Sequence, residues 1–407
     1  MPTYLSPGVY VEEKDSAVQV IAGVGTSTAG FIGVVGNTAT MPEAPTGGTF
    51  TKAPPLDPQL VTNWQEFKKK FGDVQSANKV LANAVYGFFN NGGTRCWVTR
   101  VNTLAEDTST DPAVDEVQTA LEAYEAIDEI ALLVVPLPDD VGGGDEATNQ
   151  ARRAAIQGMM LSHCERMQDR FAILDGSETV VGGAYTPDNI YQNAAGNGLG
   201  TKSNYGAVYF PFIDVSGKGE EYLPPSGHIA GIYARTDGER GVHKAPANAS
   251  IRGALGLQYR LSRAHQAGLN PDGINVIRSF NGSISVWGAR TIGGDANKDF
   301  KYINVRRLTN FIRESIDEGL QWAVFEPNTP DLWQKITRNV NAFLLTVWRS
   351  GALFGNTPQE AFYVKCDAET NPPELRELGQ VVTEIGIAPV RPAEFVIFRI
   401  SQVTPQS

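Results

Sequence analysis

At 407 residues with 42% hydrophobic content, the chain is long enough to bury substantial cores and to form two domains. A net charge of −11 disfavours nucleic acid as a partner, and no apolar run approaches the roughly 20 residues that a membrane-spanning helix needs, which excludes membrane insertion. Three widely spaced cysteines, Cys96, Cys164 and Cys366, suit reduced structural thiols and argue against a disulfide framework or a zinc site. The acidity is uneven. Residues 301–401 hold 11 basic and 12 acidic side chains, so nearly all the excess negative charge lies elsewhere. An acidic region beside a nearly neutral one suits a particle that stays soluble yet self-associates.

The first residues, Met1-Pro2-Thr3-Tyr4, have neither a basic region nor an apolar signal core, which points to a soluble protein made in the cytoplasm. Residues 4–13 (YLSPGVYVEE) join a turn signal to a β-branched and aromatic run and predict a short strand. A linker then leads to a strand at 31–35 and a proline-rich loop at 41–60. Helices are expected at 62–71, 79–89, 114–127 and 146–167. They alternate with strands at 95–101, 130–135 and 171–174, the pattern of an α/β layer with a largely parallel sheet. A glycine- and asparagine-rich excursion at 182–203 precedes a strand at 207–213 and a helix at 224–234. The turn Asn270-Pro271-Asp272-Gly273 is the expected domain boundary.

Two amphipathic helices follow. Over 301–320, Val305, Leu308, Ile312 and Ile316 share one face. Over 331–351 the stripe is Leu332, Ile336, Val340, Phe343, Leu344 and Val347, with a Thr329-Pro330-Asp331 start and a stop at Gly351. Strands are expected at 361–366, 381–387 and 394–401. The last follows Pro389 and Pro392, so the chain reaches it through an extended linker. Short strands near both ends, each beside a proline-bearing linker, can pair within the molecule or add to a neighbour's sheet.

No catalytic centre can be assembled from these residues. Gly217-Lys218-Gly219 lacks the hydroxyl and the upstream glycine of a phosphate loop, and Gly23-Val24-Gly25 has Thr28 where a dinucleotide fingerprint needs glycine. His163 and Cys164 are adjacent on a predicted helix and point in different directions, so they read as core residues rather than a nucleophile and its base. His228, His243 and His265 form no metal-ligand cluster. The expectation is a non-enzyme without metal or cofactor. Lys301, Arg306, Arg307 and Arg313 crowd the first half of one helix, where positive charge opposes the helix dipole. Either nearby acidic groups neutralise them or they form a basic surface for an acidic partner.

Seven segments in order carry a resemblance: 4–13 (YLSPGVYVEE), 241–248 (GVHKAPAN), 273–280 (GINVIRSF), 286–291 (VWGART), 302–308 (YINVRRL), 325–328 (FEPN) and 385–398 (IGIAPVRPAEFVIF). Together they resemble the contractile tail sheath family of myophages, R-type bacteriocins and extracellular contractile injection systems. The resemblance implies an outer α/β domain at 25–270 and an inner domain at 271–388 of two helices and a small β-sheet. An N-terminal arm at 1–24 and a C-terminal linker and strand at 389–407 would complete that sheet in neighbouring subunits. Val9, Tyr10, Val11 and Glu12, with Phe395, Val396, Ile397, Phe398, Arg399 and Ile400, are the implied donated strands. Arg306, Arg313, Lys335 and Arg338 are the tube-facing candidates. The implied partners are further copies of the chain in stacked hexameric rings, an inner tube protein, and baseplate and terminator proteins. The implied location is a phage tail or tail-like particle. A baseplate or terminator protein that shares the inner domain without polymerising is the alternative.

Overall fold

The structure, a computed structural model, describes residues 20–45, 47–102, 112–138, 141, 145–177, 185–191, 202–219 and 221–398. The chain forms two compact units, one of Val24–Glu314 with Pro389–Ser407, the other of Met1–Gly23 with Ser315–Ala388.

The larger unit contains β1 (Ala29–Val34), β2 (Gln59–Val61), α1 (Trp64–Phe71), α2 (Lys79–Asn90), β3 (Cys96–Val101), α3 (Pro112–Tyr124) and β4 (Leu132–Val134). It continues with α4 (Glu146–Met167), β5 (Phe171–Asp175), α5 (Pro187–Ile190), β6 (Gly206–Phe210), β7 (Ile213–Asp214) and α6 (Ser226–Arg240). Then come β8 (Ala249–Ser250), β9 (Gly256–Leu257), α7 (Arg263–Leu269), β10 (Ile274–Phe280), β11 (Ser283–Val286) and most of α8 (Ile303–Gly319).

Nine of these strands form one sheet in the order β2-β3-β1-β4-β5-β6-β10-β11-β8. Its centre is parallel, from β3 through β10, and its outer strands β2, β11 and β8 are antiparallel. Alternation along the strands explains the layering. Phe31, Leu132, Val134, Ile173 and Tyr209 face one core with Leu81, Val85 and Phe88 of α2 and Ile229 and Tyr233 of α6. Their neighbours Ile32, Leu133, Leu174 and Val208 face the other, with Leu121 and Tyr124 of α3 and Ile156 and Met160 of α4. Strands buried on both faces read as continuous apolar runs, and that is how β4, β5 and β6 read.

Local chemistry sets the helix starts. Asn63 caps α1 by accepting from the Glu66 amide, and Asp145 caps α4 by accepting from the Thr148 amide. The three cysteines are buried and unpaired, and His163 and Cys164 are core residues, as the sequence suggests.

One boundary differs from the expectation at Asn270–Gly273. β10 pairs in parallel with β6, Ile274 opposite Val208 and Val276 opposite Phe210. Residues 271–314 therefore belong to the large sheet's unit, and the division falls inside α8. The turn feeds a strand instead of ending a domain.

The smaller unit holds α9 (Pro330–Arg349), α10 (Pro358–Ala361), β12 (Phe362–Lys365), α11 (Pro373–Glu377) and β13 (Glu384–Ile387). All six residues of the α9 stripe are buried. Pro330 opens the helix, although Thr329 makes no side-chain cap. β12 and β13 pair antiparallel, and Gly386 lets the Tyr363 ring lie across its partner strand; a Cβ there would sit 2.1 Å from that ring. Among the described residues this sheet has only two strands, each with an open edge. Two strands alone are marginal in water.

Candidate assembly site

Five of the segments singled out in the sequence converge on one place, the root of the C-terminal arm. The 3-10 turn at Asn270–Asp272 ends at Gly273 with φ +85°, and a Cβ at Gly273 would lie 2.1 Å from the Thr291 carbonyl oxygen. Only glycine fits both the conformation and the space. Two residues later, fully buried Asn275 acts as a piece of β-ladder. Its Nδ2 donates to the Arg290 carbonyl at 2.8 Å and its Oδ1 accepts from the Arg290 amide at 2.7 Å.

The Arg290 backbone is thereby fixed, and its guanidinium is almost wholly buried. Nε donates to Glu394 Oε1 and Nη2 donates to Glu394 Oε2, both at 2.8 Å. Nη1 reaches the Asn270 carbonyl at 2.9 Å and Asp295 at 3.1 Å. Glu394 also accepts from Asn270 Nδ2 at 2.7 Å and from the Tyr302 hydroxyl at 3.0 Å. A bidentate guanidinium–carboxylate pair is among the strongest and most directional polar contacts. Burial alone would raise the Glu394 pKa, but the Arg290 and Asn270 hydrogen bonds and the Arg290 charge hold it below the usual carboxylate range. Burial and the bond to Glu394 push Tyr302 up to about 12.

Asn304 adds a second tie. Its Nδ2 donates to the His243 carbonyl at 2.8 Å and to the Val390 carbonyl at 3.1 Å, joining the 241–248 loop to the arm. Arg391 lies 3.6 Å from Asp299. Beyond Glu394 these ties cease. Phe395, Val396, Ile397 and Phe398 have 70–84% of their surface exposed and belong to no strand. The strand expected at 394–401 is thus, over its described part, an unpaired segment. Arg399 and Ile400 lie outside the described residues, as do Val9, Tyr10, Val11 and Glu12.

The four tube-facing candidates fare differently. Arg306 is buried, stacked 3.6 Å from the Phe300 ring centroid and donating to the Tyr205 hydroxyl at 2.7 Å. It is therefore corrected from a surface cation to an internal one, held by aromatic faces. Arg313 is exposed on the same unit and bonds Gln168. On the smaller unit, Arg338 is exposed and Lys335 forms a surface pair with Asp331 at 2.7 Å. Arg307, the remaining arginine of the cluster, is neutralised by Asp237 of α6.

Asn275, Arg290, Tyr302 and Glu394 all lie in the segments that carry the resemblance, yet no motif among those segments assigns them a role. The usable signal was a charge set against each apolar run, Arg290 in VWGART and Glu394 at the head of EFVIF, since a charge on its way into a core needs a partner.

The chain can be placed among known proteins. The family model described as "Phage tail sheath protein central domain" matches residues 110–292, and "Phage tail sheath C-terminal domain" matches 295–403. The tail sheath protein of Vibrio phage KVP40 is 28% identical over 179 residues, 43% of this chain and 26% of that protein. That of Enterobacteria phage T4 is 27% identical over 243 residues, 54% of this chain and 34% of that protein. The matched part thus spans about a quarter to a third of these relatives' length. Solved structures align over nearly all of both chains. A chain of the anti-feeding prophage baseplate has 30% identity and a TM-score of 0.75, covering 99% of this chain and 100% of that one. A chain of the contracted anti-feeding prophage helical sheath gives 30% and 0.75, covering 98% and 100%. On these matches, and on a fold shared along its whole length, the chain belongs to the phage tail sheath family.

Proposed function

We propose that this protein is the repeating subunit of a contractile tail sheath. In this reading subunits stack as hexameric rings around an inner tube, in a metastable extended lattice. Contraction to a more compact lattice drives the tube through a target envelope, with no nucleotide or metal consumed. The observation that carries the reading is the exposed, unpaired run Phe395–Phe398, borne by a member of the sheath family. Four apolar side chains in water are costly unless something covers them, and the two-stranded β12–β13 sheet offers matching open edges. The arm adds a strand to that sheet in a neighbour, as would residues 9–12 from the other end. Backbone hydrogen bonds then supply continuity, and alternate side chains supply register.

Removing residues 395–407 tests this. The expected product is a folded subunit that forms no cylinders in negative-stain micrographs, whereas normal cylinders would remove strand donation. A second reading, a baseplate component that does not polymerise, draws on the equally good match to a chain of the anti-feeding prophage baseplate. It predicts discrete particles from the full-length chain as well.

A further inference from the structure

We infer that Glu394 is the pivot of the C-terminal arm, a positioning residue that fixes where the donated segment leaves its own subunit. The inference rests on the donated-strand reading above and adds to it a specific origin for the arm. The change from held to free takes place within one residue. The Glu394 side chain is 20% exposed and takes four hydrogen bonds from three residues, while Phe395 beside it is 70% exposed. Behind the carboxylate the support is continuous. Glu394 is held by Arg290, the Arg290 backbone by Asn275, and Asn275 is part of β10, paired to β6 in the large sheet.

The clamp serves the fold as well: Nη1 of Arg290 has the Asn270 carbonyl and Asp295 as acceptors, but its Nε and Nη2 donate to Glu394, and a buried guanidinium that lost them would be left partly unpaired. What the clamp adds is direction. It confines the arm's search to the residues after 394, so the apolar segment starts from a fixed point on its own subunit. Preorganisation of this kind lowers the ordering cost of association. Pro389 and Pro392 stiffen the approach to the pivot, and Asn304 ties Val390 on that approach while Asp299 pairs with Arg391 at the surface.

The test uses the full chain with Glu394→Gln, which keeps the shape but replaces a carboxylate oxygen by a donor that faces Arg290. Tyr302→Phe is the milder companion, removing one of the four bonds. Nitroxides at Ala393→Cys and Ser283→Cys, both exposed and both on the large unit, report the arm root against the sheet in unassembled subunits. The native cysteines are buried and do not label. A narrow distance distribution should broaden in Glu394→Gln and, less so, in Tyr302→Phe. The thermal midpoint of Glu394→Gln should fall, because buried Arg290 loses its partner, so both readouts are taken well below that midpoint, where the subunit is still folded. Cylinder yield there should fall about tenfold, as for loss of a hydrogen bond to a charged group. An unchanged distribution with normal cylinders from Glu394→Gln, where the 395–407 deletion forms none, would remove the pivot and leave strand donation standing. Cylinders from the deletion would remove the donated strand and the pivot with it.

Discussion

Arg306, Arg307 and Arg313 are alike in sequence, and their fates diverge because neighbours from distant segments decide them. Arg307 donates to Asp237 from Nη1 at 2.9 Å and from Nη2 at 2.5 Å, and to the Thr26 carbonyl at 2.9 Å. Thr26 completes the group by donating to Asp237 at 2.6 Å. Removing one partner of a buried pair strands the other charge. Asp237→Asn should therefore cost about 3–5 kcal/mol in urea unfolding, and Asp237→Leu with Arg307→Met should recover part of it. Two buried histidines set an acid limit. His163 and His228 are held at about 4 by burial, with Arg170 adding to the effect at His163. The unfolded chain takes up these protons near pH 6.5, so their contribution is whole above that and is lost as pH falls toward about 4. Asp175, raised to about 7 by burial, slopes the opposite way. The comparison with His228→Gln separates the two. Wild type should lose stability relative to that variant between pH 6.5 and 4, by up to about 3 kcal/mol.

Elements whose signals are local were legible. The long helix α4 begins and ends where its sequence predicts, at Glu146 and Met167, and every residue of the α9 stripe is buried, because periodicity and caps lie within a few positions of one another. Leu344 of that stripe is fully buried, and Leu344→Ala should cost about 2–5 kcal/mol, measured by denaturant unfolding of the full chain. Pairing was not legible. β10 follows a strong turn, and only its partner β6, more than sixty residues earlier, shows that the turn joins rather than divides. The arm root was hidden for the same reason. Arg290 and Glu394 are 104 residues apart, and neither has a local pattern that names the other. The terminal segment read as a strand because its residues favour one, yet a strand also needs a partner, and Phe395–Phe398 have none within the described chain.

At the scale of the whole molecule the features point outward. Exposed apolar groups sit on both units, Phe325, Phe354 and Leu378 on the smaller and the arm on the larger. With Arg306 internal, the remaining tube-facing proposals are Arg313, Lys335 and Arg338. Arg313→Glu with Arg338→Glu should lower co-sedimentation with tube protein more than sheath–sheath assembly, and equal loss of both would return these residues to ordinary surface. The most direct measurement is cryo-electron microscopy of the purified chain with its tube protein. Striated hollow cylinders in which residues 395–398 extend a neighbour's β12–β13 sheet are the predicted result. Discrete particles, or cylinders in which that segment folds back onto its own subunit, would contradict it.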